Sequence, residues 1–149
     1  MSSDFIHLHN HTHYSLQDAA CTVESLVYAA KKHDMKSVAL TDHGVMYGAA
    51  EFYKKCTKAG IKPIIGMEAY IVTDGSCEVK GASDDSSDKS FGETTKKKKR
   101  HYNHLILLAK NKQDYKNLSK HSTLGHTKGF YYKPRIDLDL LREYKEGLV

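Results

Sequence analysis

Four histidines alternate along His7-Leu8-His9-Asn10-His11-Thr12-His13, directly after the apolar pair Phe5-Ile6. If this run begins as a strand, alternate side chains point to one face, and the odd-numbered imidazoles converge. Imidazoles make a poor core, because their ring nitrogens need partners once they leave water. A divalent cation supplies such a partner directly. A fold that gathers these rings must therefore give them a site, and His9-Asn10-His11 is the candidate metal pair.

The rest of the chain alternates strands with helices. Residues 5–9 read as a first strand. Thr22 reads as the N-cap of a helix running to about His33, with Glu24 in its first turn and Val23, Leu26, Val27 and Ala30 as its apolar stripe. Residues 37–41 read as a short strand that stops at Asp42-His43-Gly44. A helix is expected from about Met46 to Ala59, burying Ala49, Phe52, Tyr53 and Cys56 and stopped by Gly60. Residues 63–72 are strand-rich and interrupted by Gly66, and residues 73–100 read as a flexible surface insertion of Gly, Ser, Asp, Thr and Lys. A buried strand is expected over residues 104–109, a helix over 112–121 and an irregular loop over 125–135. Asp137 is expected to cap a last helix carrying Leu138, Leu141 and Tyr144.

Repeated strand-then-helix units predict an α/β fold with parallel strands and right-handed crossovers, either an open sheet or a closed barrel. In both, function gathers where strands end and loops begin. That rule selects His9 and His11 after the first strand and Asp18 in the following loop. It also selects Asp42 and His43 after the second strand, Glu68 in the third and His104 at the start of the fourth. Imidazole with carboxylate and no thiolate suits zinc, manganese or iron. More ligands than one tetrahedral zinc can use implies two or three adjacent metals bridged by a carboxylate, an arrangement that activates water against a phosphate ester.

Plainer roles compete for each residue. Asp42 could cap the next helix, Glu68 could be a charge on an exposed strand edge, and His104 a hydrogen-bonded core histidine. His7 and His13 read as neighbours of the site, and His33, His101, His121 and His126 as solvent-facing. Ser15 lies near His11 and Asp18 but lacks a glycine-flanked nucleophile turn, and no phosphate-binding glycine loop is present. No catalytic residue is therefore assigned beyond the metal ligands, with Asp42 and His7 supporting them.

Composition narrows the class. At 149 residues the chain suits one domain, and it has neither a run of transmembrane length nor a signal-peptide start. A cytoplasmic location and no membrane partner are expected. Cys21, Cys56 and Cys77 form no Cys-x-x-Cys pair and are expected to be reduced. The net charge of +5 suggests nucleic acid less than it first implies, because Lys96-Lys97-Lys98-Lys99-Arg100 reads as a solvated loop.

The residues from His7 to Asp18, with Leu40-Thr41-Asp42-His43-Gly44 and Gly66-Met67-Glu68, resemble the motifs of the polymerase and histidinol phosphatase (PHP) superfamily. Residues 64–70, 102–111 and 129–137 make the chain most similar to the N-terminal PHP domain of bacterial replicative DNA polymerase III alpha subunits. The resemblance implies a distorted seven-stranded, TIM-like β/α barrel, of which residues 1–149 would be the N-terminal part. It also implies a trinuclear metal centre held by His9, His11, Asp18, His43, Glu68 and His104. The parent would carry a magnesium-dependent polymerase site outside this chain. Its partners would be DNA, dNTPs, a proofreading exonuclease subunit, the sliding clamp and clamp-loader subunits. Gly147-Leu148-Val149 looks like the start of another buried strand, and the family's later ligands have no counterpart here, so the isolated piece is expected to be inactive. The competing functions are a stand-alone phosphoesterase of the histidinol-phosphatase type and a scaffold whose metals only stabilise it.

Overall fold

A computed structural model describes residues 5–80 and 102–149. The class is α/β. In chain order the elements are α1 (Val23–Lys32), β1 (Ser37–Leu40), α2 (Ala49–Ala59), β2 (Lys62–Val72), β3 (Asn103–Leu108), α3 (Lys112–Thr127), β4 (Phe130–Tyr131), β5 (Lys133–Asp137) and α4 (Leu138–Glu143). Helix α1 starts where expected: the Thr22 hydroxyl accepts from the Ser25 N–H at 3.1 Å. Helix α2 starts later, at Ala49, because residues 44–48 are used in the turn that leaves β1, and it closes at Gly60. Its apolar face buries Ala49, Phe52 and Cys56, but the expected fourth member, Tyr53, is 54% exposed.

Strand β2 is the spine of the sheet. It runs unbroken through Gly66, so the expected interruption there does not occur. Its first residues pair in parallel with β1, Ser37 opposite Lys62 through Leu40 opposite Ile65. Its last pair in parallel with β5, Tyr70 opposite Arg135 through Val72 opposite Asp137. On its other edge β3 runs antiparallel, with Glu68 opposite Ile106 and Tyr70 opposite His104. The expectation of parallel strands fails here, since β3 runs against β2 along its whole length. Only Leu107 of β3 is fully buried, so this strand is more exposed than its apolar run suggests.

Two further expectations give way near the C-terminal half. Helix α3 continues to Thr127, and the loop expected over 125–135 contains a β4–β5 hairpin, with Phe130 opposite Pro134. Gly125, expected to open that loop, is helical, and the Pro134 backbone packs 3.3 Å from where a Cβ would stand, so a residue without a side chain suits the position. Asn111 and Asp114 form a reciprocal capping box at the start of α3. Residues 147–149 begin to pair as expected: Leu148 makes an antiparallel bridge with Ala109, and Val149 exchanges both backbone hydrogen bonds with Leu108, at 2.7 and 3.0 Å, with its side chain exposed.

Alternation along β2 divides core from site. Met67, Ala69 and Ile71 face a cluster containing Leu107, Leu118 and Ile136, while Glu68 and Tyr70 point the other way. A second cluster joins Val23, Val27 and Ala30 of α1 to Val38, Leu40, Phe52 and Cys56.

The segment opening the expected insertion is described through Lys80, and it is tied down. Asp137 accepts from the Leu140 N–H at 2.9 Å, capping α4, and from the Cys77 N–H at 3.0 Å. The buried Arg135 guanidinium donates to the carbonyls of Gly129, Cys77 and Val79. Burial pushes the Cys77 thiol up to about 11. In the native protein Cys77 is expected to resist a thiol reagent that labels the partly exposed Cys21. Asp137→Ala removes both anchors and is expected to raise Cys77 labelling at least severalfold, read by peptide mass spectrometry. Unchanged labelling would show that Arg135 alone holds the segment. Residues 81–101, with His101 and the Lys96–Arg100 run, lie outside the described residues.

His121 corrects the sequence reading. It is fully buried on α3, not solvent-facing, and neither ring nitrogen has a hydrogen-bond partner among the described residues. Burial lowers its pKa, against a smaller opposing contribution from the Tyr144 backbone. The ring is thus neutral in the fold and protonates more readily when unfolded. Its contribution to stability is present above pH 6.5 and is lost as pH falls through the folded value. Thermal unfolding at pH 7.5 and 5.5 is expected to show a smaller acid destabilisation for His121→Gln than for the natural chain. An equal loss would exclude this ring as a source. His126 is partly buried and bonds the Ser122 carbonyl, whereas His33 is exposed as expected. No described helix is long and apolar enough to cross a membrane.

Candidate metal centre

The first histidine segment is not a regular strand, contrary to expectation, although it lies alongside β1. The Ala39 N–H donates to His7 O and the Thr41 N–H to Asn10 O, so three steps of one chain span two of the other. This extra residue breaks the ladder as a bulge does. Asn10 fills the break, its amide donating to His7 O and Ala39 O. The consequence is a change of facing within the run. His9 and His11 converge, with Nε2 atoms 3.0 Å apart, while His7 turns outward against Phe5 and takes no place in the cluster.

Four imidazoles surround Glu68, which is 4% exposed. Its Oε2 lies 2.5 Å from His9 Nε2, 2.9 Å from His11 Nε2 and 3.8 Å from His43 Nδ1, while its Oε1 meets His104 Nδ1. Asp18 completes the group, its Oδ2 2.5 Å from His43 Nε2. Six of the seven residues selected by the strand-end rule therefore meet in one place, Asp42 being the exception. They form three triads, His9–His11–Glu68, His11–Asp18–His43 and His43–Glu68–His104, each with donor atoms within 4.8 Å of one another. Any two triads share one residue.

Electrostatics favours the metal-binding forms of Glu68, His11 and Asp18. Burial alone would push the Glu68 carboxyl up, but hydrogen bonds from His104 and His9 outweigh it and hold it below the usual range. Burial and the neighbouring His43 hold His11 below its ordinary value, which favours the neutral ring. The hydrogen bond from His43 lowers Asp18. His43 Nδ1 is buried with no hydrogen-bond partner among the described residues, and a cation could take up its lone pair. With no thiolate in the cluster, the donor set suits a borderline divalent ion, so the residues fit the metal that the pattern implied.

Asp42 is in the group by sequence and behind it in space. It is 1% exposed and accepts from the Thr12 N–H at 2.6 Å, the Thr12 hydroxyl at 2.9 Å and the Ser15 hydroxyl at 2.7 Å. Ser15 Oγ in turn accepts from the His43 N–H at 3.1 Å. Asp42 thus caps no helix; it ties the loop bearing His11 to the residue bearing His43. Thr12 and Ser15 were not singled out for this task, and their only signal was position, between two ligand types in a polar loop. Gly44 is also required beside the site: its φ is +65°, and a Cβ there would stand 2.6 Å from Pro134 Cγ.

An α/β fold that gathers overlapping histidine and carboxylate triads has the donor chemistry of the metal-binding class of proteins. The PHP domain family model matches residues 7–149, and the chain belongs to that family. It is 48% identical over 149 residues to the DNA polymerase III subunit alpha of Aquifex aeolicus, covering 100% of this chain and 12% of that protein. The corresponding subunit of Borreliella burgdorferi is 48% identical over 147 residues, covering 99% of this chain and 12% of the relative. The chain thus spans a small part of these relatives. A crystal structure provisionally assigned as a metal-dependent phosphoesterase from Bifidobacterium adolescentis shares the fold, with a TM-score of 0.50, 18% identity, and coverage of 83% of this chain and 34% of that one.

Proposed function

We propose that this chain is the N-terminal PHP domain of a bacterial replicative DNA polymerase alpha subunit, and that its centre hydrolyses phosphodiesters, most usefully at a mismatched 3′ end. The observation that supports the hydrolytic reading most is the sharing of residues among the three triads around Glu68. His9, His11, Asp18, His43, Glu68 and His104 would hold zinc, manganese or iron. When bound, such ions acidify water and neutralise charge gathering on phosphate oxygens. Glu68 presents its two oxygens to different histidines, Oε2 to His9 and Oε1 to His104, and so suits a bridging role. The Ser15 hydroxyl, beside the ligands, is not free to be a nucleophile in their place: it donates to Asp42 and accepts from the His43 backbone. The parent would polymerise dNTPs on DNA with magnesium at a separate site, in the bacterial cytoplasm. Its partners would be the sliding clamp, its loader and a separate proofreading subunit.

The test uses the full-length polypeptide, with metal content, exonuclease activity and primer extension measured together. His9→Ala/His11→Ala is expected to lose most bound metal and at least about a hundredfold of exonuclease activity, while primer extension persists. If metal is lost and stability falls with exonuclease activity unchanged, the domain is a metal-stabilised scaffold and the hydrolytic reading is wrong.

A further inference from the structure

A cleft of about 580 Å³ opens onto the centre at His43, and its walls include Tyr14, Tyr47, Tyr70, Tyr102 and Lys133. The ring of Tyr70 stacks on that of His43, with centroids 5.6 Å apart and planes 14° from parallel. Over the same tyrosine stands the Lys133 ammonium, 5.4 Å from the ring centroid. Lys133 lies at the exposed start of β5, and no described carboxylate forms an ion pair with it. Two edge-to-face tyrosine pairs flank the cleft: Tyr70 with Tyr102 at 5.1 Å, and Tyr14 with Tyr47 at 6.3 Å. Tyr47 is 66% exposed, so its ring is open to a partner.

A small phosphate monoester would leave these features without a role. Its one phosphoryl group would be met at the metal-ligand cluster, leaving the cation over Tyr70 and the open ring of Tyr47 without a partner. A second anion suits Lys133, and flat groups suit the tyrosine rings that line the cleft. Single-stranded polynucleotide has both, as regularly spaced phosphates joined to bases with stacking faces, and aromatic platforms combined with cations are how proteins bind it without reading sequence.

We propose that this cleft is a single-strand subsite, in which Lys133 pairs with a phosphate neighbouring the one at the centre and Tyr47 and Tyr102 stack against bases. The inference deepens the phosphodiesterase reading of the same centre. Lys133 is a positioning residue here and takes no part in bond cleavage.

Photo-crosslinking of the full-length protein with a single-stranded oligonucleotide carrying 5-iododeoxyuridine tests the subsite without requiring hydrolysis. Mapping adducts by peptide mass spectrometry separates this cleft from any other DNA site on the protein. Adducts are expected on Tyr47 or Tyr102. At subsaturating oligonucleotide they are expected to fall about tenfold in Lys133→Met, to return in Lys133→Arg, and to weaken with added salt. In parallel, the KM for oligonucleotide cleavage should rise more in Lys133→Met than the KM for bis(p-nitrophenyl) phosphate, which has no second phosphate. Absence of adducts on both tyrosines at saturating oligonucleotide overturns the subsite, as does adduct yield indifferent to Lys133. Adducts without any metal-dependent cleavage retain the subsite and remove the hydrolytic reading.

Discussion

Asp42→Ala is expected to lower the stability of the 149-residue chain by about 3–5 kcal/mol, a fall in thermal midpoint of roughly 10 °C or more. The carboxylate is buried and accepts three hydrogen bonds, two from hydroxyls and one from the Thr12 backbone. Alanine leaves the Thr12 N–H without an acceptor in a place water does not reach, and the two hydroxyls lose their shared anchor. Asp42→Asn separates charge from hydrogen bonding. Its carbonyl oxygen can still accept from the Thr12 N–H, and hydroxyls can rotate to accept from its amide, so a smaller loss of about 1–2 kcal/mol is expected. The alanine variant should also lose metal affinity, because Ser15 connects Asp42 to the His43 backbone. A midpoint within 1 °C or so of the natural chain would show that the loop bearing His11 is fixed by other contacts.

The site was more legible in the sequence than the sheet that carries it. Ligand chemistry is local: His9, His11, His43 and Glu68 announce themselves by residue type, and the fold brings them together. Strand direction is not local. Nothing in the apolar run of β3 distinguishes an antiparallel neighbour of β2 from a parallel one, because a strand's composition reports burial and not orientation. The short β4–β5 hairpin was hidden for a related reason. Gly125, Gly129 and Pro134 read as punctuation, and the close packing of the Pro134 backbone against Gly125 is visible only in three dimensions. His121 shows the limit for single residues: a lone polar side chain on a weakly amphipathic helix carries no sign that later residues will bury it.

Glu68→Gln is expected to remove the difference that metal makes. In the natural protein, manganese at about a hundred times its dissociation constant should add about 2.7 kcal/mol to stability, seen as a rise in thermal midpoint over chelator-treated protein. Two of the three triads contain Glu68, so one substitution strips a charged ligand from both. Affinity should fall by at least about a hundredfold, the scale at which even groups behind the ligands act, and the manganese-induced rise should vanish. In chelator the two proteins should differ much less. A glutamine amide can accept from one neighbouring imidazole and donate to another, retaining part of the contacts that His9 and His104 make with the carboxylate. That contrast separates a ligand from a structural carboxylate. If Glu68 served only to pair with histidines, the variant would lose stability in chelator and manganese alike, and its metal-induced rise would persist.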